Sequence, residues 1–148
     1  MYETIKFIHS YWAYLTLLLI VLATLNALKG VFTKGDFLNK DYRISLFALI
    51  VTHIQIVIGV ILYMLSPLAM GAIKEGGMGS VMKDSLLRYF SIEHPLMMII
   101  AAVLITIGYS KHKKKETSTQ KFRTIAIFYT IALILVLSRI PWNSWFNY

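Results

Sequence analysis

Residues 5–28, IKFIHSYWAYLTLLLIVLATLNAL, form one continuous apolar run closed by Lys29-Gly30, and their reading decides the fold. At about 1.5 Å of rise per helical residue, such a run crosses the roughly 30 Å hydrocarbon core of a bilayer. It is too long for the apolar region of a signal peptide, is preceded by only one cation, Lys6, and lacks a small-residue cleavage site, so a retained helix is expected.

Three further runs of similar length follow. The second is expected over about 44–65, closed by Ser66-Pro67. The third is expected over about 89–110, because Pro95 to Tyr109 alone is too short to span; Pro95 then falls in its first turns, where a missing donor costs little. The fourth is expected over about 122–140, followed by Pro141-Trp142-Asn143-Ser144-Trp145, whose tryptophans suit an interfacial belt. Between spans two and three, residues 67–88 carry Gly71, Gly76, Gly77 and Gly79 and read as a loop ending in an interfacial helix at 81–88.

The chain therefore reads as a single transmembrane domain, residues 1–148, folded as an all-α, up-down bundle of four membrane-spanning helices. Its 57% hydrophobic content and mean hydropathy of +0.65 are too apolar for a soluble domain of 148 residues. The net charge of +8 does not point to nucleic acid, because the cations cluster at span ends. Ten of them (Lys29, Lys34, Lys40, Arg43, Lys111, Lys113, Lys114, Lys115, Lys121, Arg123) flank one side and five (Lys6, Lys74, Lys83, Arg88, Arg139) the other. The positive-inside rule then predicts that both termini lie outside the cytoplasm. Absence of cysteine excludes disulfides, thiolate metal sites and covalent haem attachment through thioethers.

Ionisable side chains inside a bilayer are costly and so point to function. His9 is four residues into span one and His94 four or five into span three, about 6 to 8 Å below the outer surface in both cases. Spans one and three are diagonal in an up-down bundle, so the two imidazoles can converge on one iron, as a bis-histidine haem requires. Small residues flank them (Ala13, Ala101, Ala102), and Gly59 on span two, at nearly the same depth, leaves room for a porphyrin edge. Arg139 and Arg88 at the outer end suit haem propionates, although both arginines also read as side chains snorkelling to the interface. Met97 and Met98 read as packing rather than axial ligands.

His53 lies about 18 Å down span two, with no other histidine at its level. Its default reading is a neutral imidazole hydrogen-bonded to a neighbour such as Thr106 or to a helix carbonyl. A proton relay, a quinone contact or an alternative metal ligand are the functional readings. Gln55 is expected to make an interhelical hydrogen bond, and His112, among lysines, to be solvated.

Four stretches together, His9-Ser10-Tyr11-Trp12, Thr52-His53, Glu93-His94-Pro95 and Ser138-Arg139-Ile140-Pro141-Trp142, resemble a group of short bacterial membrane proteins catalogued as "cytochrome B" over nearly the whole chain. The architecture is also similar to half of a haem A synthase, from which the chain departs in having one bundle and Glu93 directly before His94. The resemblance implies haem b in the bacterial inner (cytoplasmic) membrane, with electrons exchanged with a quinone or a respiratory partner subunit. An electron-transfer protein or subunit is thereby expected rather than a complete enzyme. Two alternatives are a non-haem structural or assembly subunit and a copper site formed by His9, His94 and Glu93. Tyr11, Trp12 and Phe90 read either as an aromatic belt or as the lining of a quinone pocket.

Overall fold

The computed structural model describes residues 1–146, and every described regular element is helical. In chain order these are α1 (Tyr2–Thr33), α2 (Asn39–Leu65), α3 (Ala72–Lys83), α4 (Ser85–Arg88), α5 (His94–His112), α6 (Ser118–Arg139) and α7 (Trp142–Phe146). Four stretches are long and apolar enough to cross a membrane: Tyr2–Thr33, Asn39–Leu65, Ser85–His112 and Ser118–Arg139. Each extends further toward the α1–α2 and α5–α6 connections than hydropathy alone marks.

The extra turns have identifiable causes. At the start of α2, the Asp41 carboxylate accepts the Leu38 backbone N–H at 2.8 Å, satisfying a donor left over at a helix N-terminus and placing negative charge where the helix dipole favours it. Asn26 on α1 donates to the other oxygen of Asp41 at 2.8 Å, so the buried carboxylate also ties the two helices together. At the start of α6, Thr117 and Gln120 exchange side-chain-to-backbone hydrogen bonds, the reciprocal pattern of a capping box.

The four long helices form a square in which α1 packs on α2 and α6, and α5 packs on α6 and α2. Lipid gives no hydrophobic drive for helices to associate, so packing relies on small residues that let backbones approach. Ala23, Ala27 and Gly30 on α1, Ala101 and Gly108 on α5, and Ala126 and Ala132 on α6 are all buried. Gly30 is covered by the Phe122 ring, and Gly108 by Phe128, with no space for a Cβ at either position. Around them Ile20, Ile105, Ile125 and Tyr129 are completely enclosed, and the Tyr129 hydroxyl donates to the Ser45 carbonyl at 2.8 Å, joining α6 to α2 across the diagonal.

The connection from α2 to α5 differs from the loop expected over 67–88. It is mostly helical: a π-helical turn at Pro67–Gly71, then α3, α4 and a second π-helical turn at Tyr89–Glu93. Of its glycines only Gly77 takes a left-handed conformation (φ 77°, ψ 165°), where it kinks α3. The helical segment expected over 81–88 is interrupted at Asp84, which turns to extended backbone and caps α4 through its carboxylate, accepting from Leu86 and Leu87 N–H groups at 2.9 and 3.1 Å. Ser91 donates to the Leu68 carbonyl and Tyr63 to the Ser91 carbonyl, both at 3.0 Å, holding the segment against the end of α2.

Candidate functional site

One end of the bundle carries the N-terminus, the end of α2 and the start of α5, together with the end of α6; it is called the termini end here, and the opposite one the loop end. α1 and α5 are diagonal, as expected from an up-down order. At the termini end the rings of His9 on α1 and His94 on α5 come together across that diagonal, with centroids 6.3 Å apart and planes at 74°.

This spacing can be compared with coordination geometry. Two metal–imidazole bonds of about 2 Å, plus roughly 1 Å from each ligating nitrogen to its ring centre, separate two axial imidazoles by about 6 Å. The centroid distance matches that sum. The rings make no hydrogen bond to each other, which would draw them closer.

His94 is oriented by the end of α6. Its Nδ1–H donates to the Arg139 backbone carbonyl at 2.6 Å, and the Tyr89 hydroxyl donates to the same carbonyl at 2.6 Å. A carbonyl in the last turn of a helix has no partner within that helix. Pro141 makes it so here, since Ile140 is pushed to extended backbone (φ −69°, ψ 135°) and Pro141 has no N–H. With Nδ1 donating, Nε2 carries the free lone pair that a metal needs, the usual arrangement of a ligating histidine held by a backbone carbonyl.

His9 is bordered by α2. The Gln55 amide nitrogen donates to the His9 carbonyl at 3.0 Å and lies 3.4 and 3.5 Å from the two ring nitrogens. A Cβ on Gly59 would stand 3.3 Å from His9 Cε1. The space left by Gly59 thus accommodates the His9 imidazole, whereas the sequence reading assigned it to a porphyrin edge. Trp12, one turn further along α1, donates its indole N–H to the Val51 carbonyl at 2.9 Å, so it fastens α1 to α2. Two polar atoms around the site are buried without a partner, Gln55 Oε1 and Arg139 Nε. An orphaned guanidinium N–H, on the residue whose backbone carbonyl holds His94, is a donor suited to a carboxylate such as a haem propionate. The donor set, the spacing and this orphaned N–H fit a haem.

The remaining candidates fall elsewhere. Arg88 is engaged within its own segment, pairing with Glu93 at 3.3 Å and donating to the Met82 carbonyl at 2.8 Å. Among the described residues no group of three His, Cys, Asp or Glu side chains comes together, so the copper set of His9, His94 and Glu93 is not assembled. The physical reason is that Glu93 precedes His94 by one residue and projects from a different side of the helix, toward Arg88. Met97 and Met98 are half-buried in α5.

His53 bonds Thr106 on α5 through Nε2 at 2.8 Å, the default reading of the sequence. His112 is a correction: it is 1% exposed, enclosed by Phe37, Tyr42 and Tyr109, with Nδ1 facing the Tyr109 carbonyl. The lysines around it point outward while the helix turn that carries Gly108 and Tyr109 turns His112 into the bundle. Tyr11 is 61% exposed and stacks with Phe7 and Tyr14, which in turn stacks with Trp145, as in an interfacial belt.

Two participants were not visible beforehand, Tyr89 and the Arg139 carbonyl. The available signal was the Arg-Ile-Pro sequence at 139–141, which frees a carbonyl near a helix end. No family model, curated protein or solved structure matches this chain.

Proposed function

We propose that this protein is a membrane-embedded b-type cytochrome, or a cytochrome subunit, in which His9 and His94 would hold one haem. The single observation that carries this reading is the 6.3 Å approach of the two rings on diagonal helices, with His94 Nδ1 already donating to Arg139. When bound, haem supplies one-electron chemistry at iron.

The chain's own residues set the conditions for it. The Arg139 carbonyl fixes the tautomer and the rotation of His94, and Tyr89 shares that carbonyl. Gln55 and Gly59 border the His9 ring, and the Arg139 guanidinium offers Nε–H to an anionic group. Arg88 belongs to this reading only as a second cation, because Glu93 neutralises it. The asymmetry of ten cations against five supports a bundle in the bacterial inner membrane with the haem near its non-cytoplasmic face. The electron partner in this reading is a quinol or another respiratory subunit.

The test is an absorption spectrum of the detergent-purified protein expressed with ample haem. A Soret band that shifts on dithionite reduction, and disappears in both His9→Ala and His94→Ala, is the expected result. A protein without chromophore under these conditions would overturn the proposal and leave a structural subunit.

A further inference from the structure

We propose that the His53–Thr106 pair is a binding site for the hydroxyl of a lipid-soluble aromatic alcohol, of the quinol class, on the outer face where α2 meets α5. The choice of a quinol rests on the electron-transfer reading above; the site itself rests on separate observations.

His53 lies in the middle of α2, and its side chain is exposed on the face that would meet lipid. Ionisable residues at such depth almost always face the bundle interior, so an outward one calls for a ligand. The direction of its hydrogen bond can be assigned. Thr106 has one hydroxyl proton, and Oγ1 donates it to the Ala102 carbonyl at 2.7 Å. The same oxygen must therefore accept from His53, whose Nε2–H is the donor at 2.8 Å. A neutral His53 then carries its lone pair on Nδ1, which has no partner among the described residues.

An acceptor in this position selects a ligand that brings an O–H donor into the hydrocarbon layer. The surface around it is apolar: Ile50 and Val57 lie one turn either side of His53 on α2, and Val103 and Ile107 flank Thr106 on α5, all of them exposed. α2 and α5 also form the loosest side of the square. A second copy docked symmetrically, this face against the same face, would meet His53 with those same apolar residues or with another imidazole acceptor, and offers no donor. A quinol head group offers one. His53 is six residues from Gly59, about 9 Å along α2, and Gly59 touches His9. The site would therefore lie close to the haem ligands.

The experiment uses the full chain in lipid nanodiscs with a photoreactive short-chain quinone, added reduced, and maps the adducts by mass spectrometry. Labelling of 50–57 and 103–107, displaced by unlabelled quinol, is expected. His53→Phe should reduce it about tenfold, the loss of one hydrogen bond made away from water, whereas His53→Gln, which keeps both an acceptor and a donor, should retain most of it. Labelling elsewhere, or labelling unaffected by His53→Phe, would overturn the site. Because the native chain has no cysteine, His53→Cys provides a clean second arm: a disulfide between copies would overturn the proposal in favour of a dimer face. Labelling needs no haem, so it persists in His9→Ala if only the cytochrome reading fails.

Discussion

The two ends of the bundle are built differently. Toward the loop end, α1, α2, α5 and α6 bury small and β-branched side chains, including Ala27, Ala48, Ile105 and Ile125, and the polar groups Asp41, Ser45 and His112 are enclosed with them. Toward the termini end, the interior positions are taken by His9, Gln55, Gly59, His94 and Arg139, all only half-buried, and two of their polar atoms lack partners. One half is organised by close packing of apolar side chains, and the other by directed donors and acceptors around two imidazoles. Packing at the loop end holds the four helices in register, so that the polar side chains of the termini end need not carry the association of the helices. That division is what a bundle needs if a planar group is to enter one end.

Removing either of the two histidines should give the largest effect. His94→Ala is expected to abolish the Soret band entirely while leaving the apoprotein as stable as before to within about 1 kcal/mol, because the Tyr89 hydroxyl still satisfies the Arg139 carbonyl when the ring is removed. Absorption and thermal unfolding in the same detergent measure both. Strong destabilisation of the apoprotein would show that the termini end is a packed core after all.

Ile105→Ala should reverse that pattern. Its side chain is fully enclosed, so about 3 kcal/mol of stability is expected to be lost, with the haem spectrum of the folded fraction unchanged. Steric trapping or reversible unfolding in mixed micelles reads the first quantity. An altered spectrum would mean that the two ends are not independent.

Tyr89→Phe removes one of two hydrogen bonds to the Arg139 carbonyl and leaves His94 as its only side-chain donor. The expected cost is about 1 kcal/mol, with a stronger His94 bond and a lower reduction potential, since a more basic imidazole favours ferric iron. Redox titration checks the direction, and a potential that stays constant breaks the link between α6 and the ligand. Gly59→Ala is the smallest change: the new methyl stands 3.3 Å from His9 Cε1, so the ring must move by a few tenths of an ångström. A shifted electron paramagnetic resonance signal at nearly unchanged stability is expected, and Gly59→Leu should enlarge it into loss of haem.

Legibility in the sequence followed the range of the forces involved. The four spans were visible because membrane insertion responds to summed hydropathy over about 20 residues, a local quantity. The equal depth of His9 and His94 was also visible, since depth along a helix is a matter of counting. Rotation about the helix axis was not. It placed His112 inside among aromatic rings instead of with the lysines beside it, and it turned the Gly59 notch toward the His9 ring. Glycines at 71–79 argued for a loop, yet three of the four accept helical backbone and only Gly77 leaves it.

By itself the sequence determined an all-helical chain with four stretches able to cross a membrane, no thiol chemistry and two histidines at one level. Only the tertiary structure decided that those rings approach to 6.3 Å, that the carbonyl of Arg139 orients one of them and that His53 turns outward against Thr106. Span count depends on residue types added along a line. Ring distances and hydrogen-bond partners depend on which helices neighbour one another and how each is rotated, and these are set by close packing of small residues far apart in the chain.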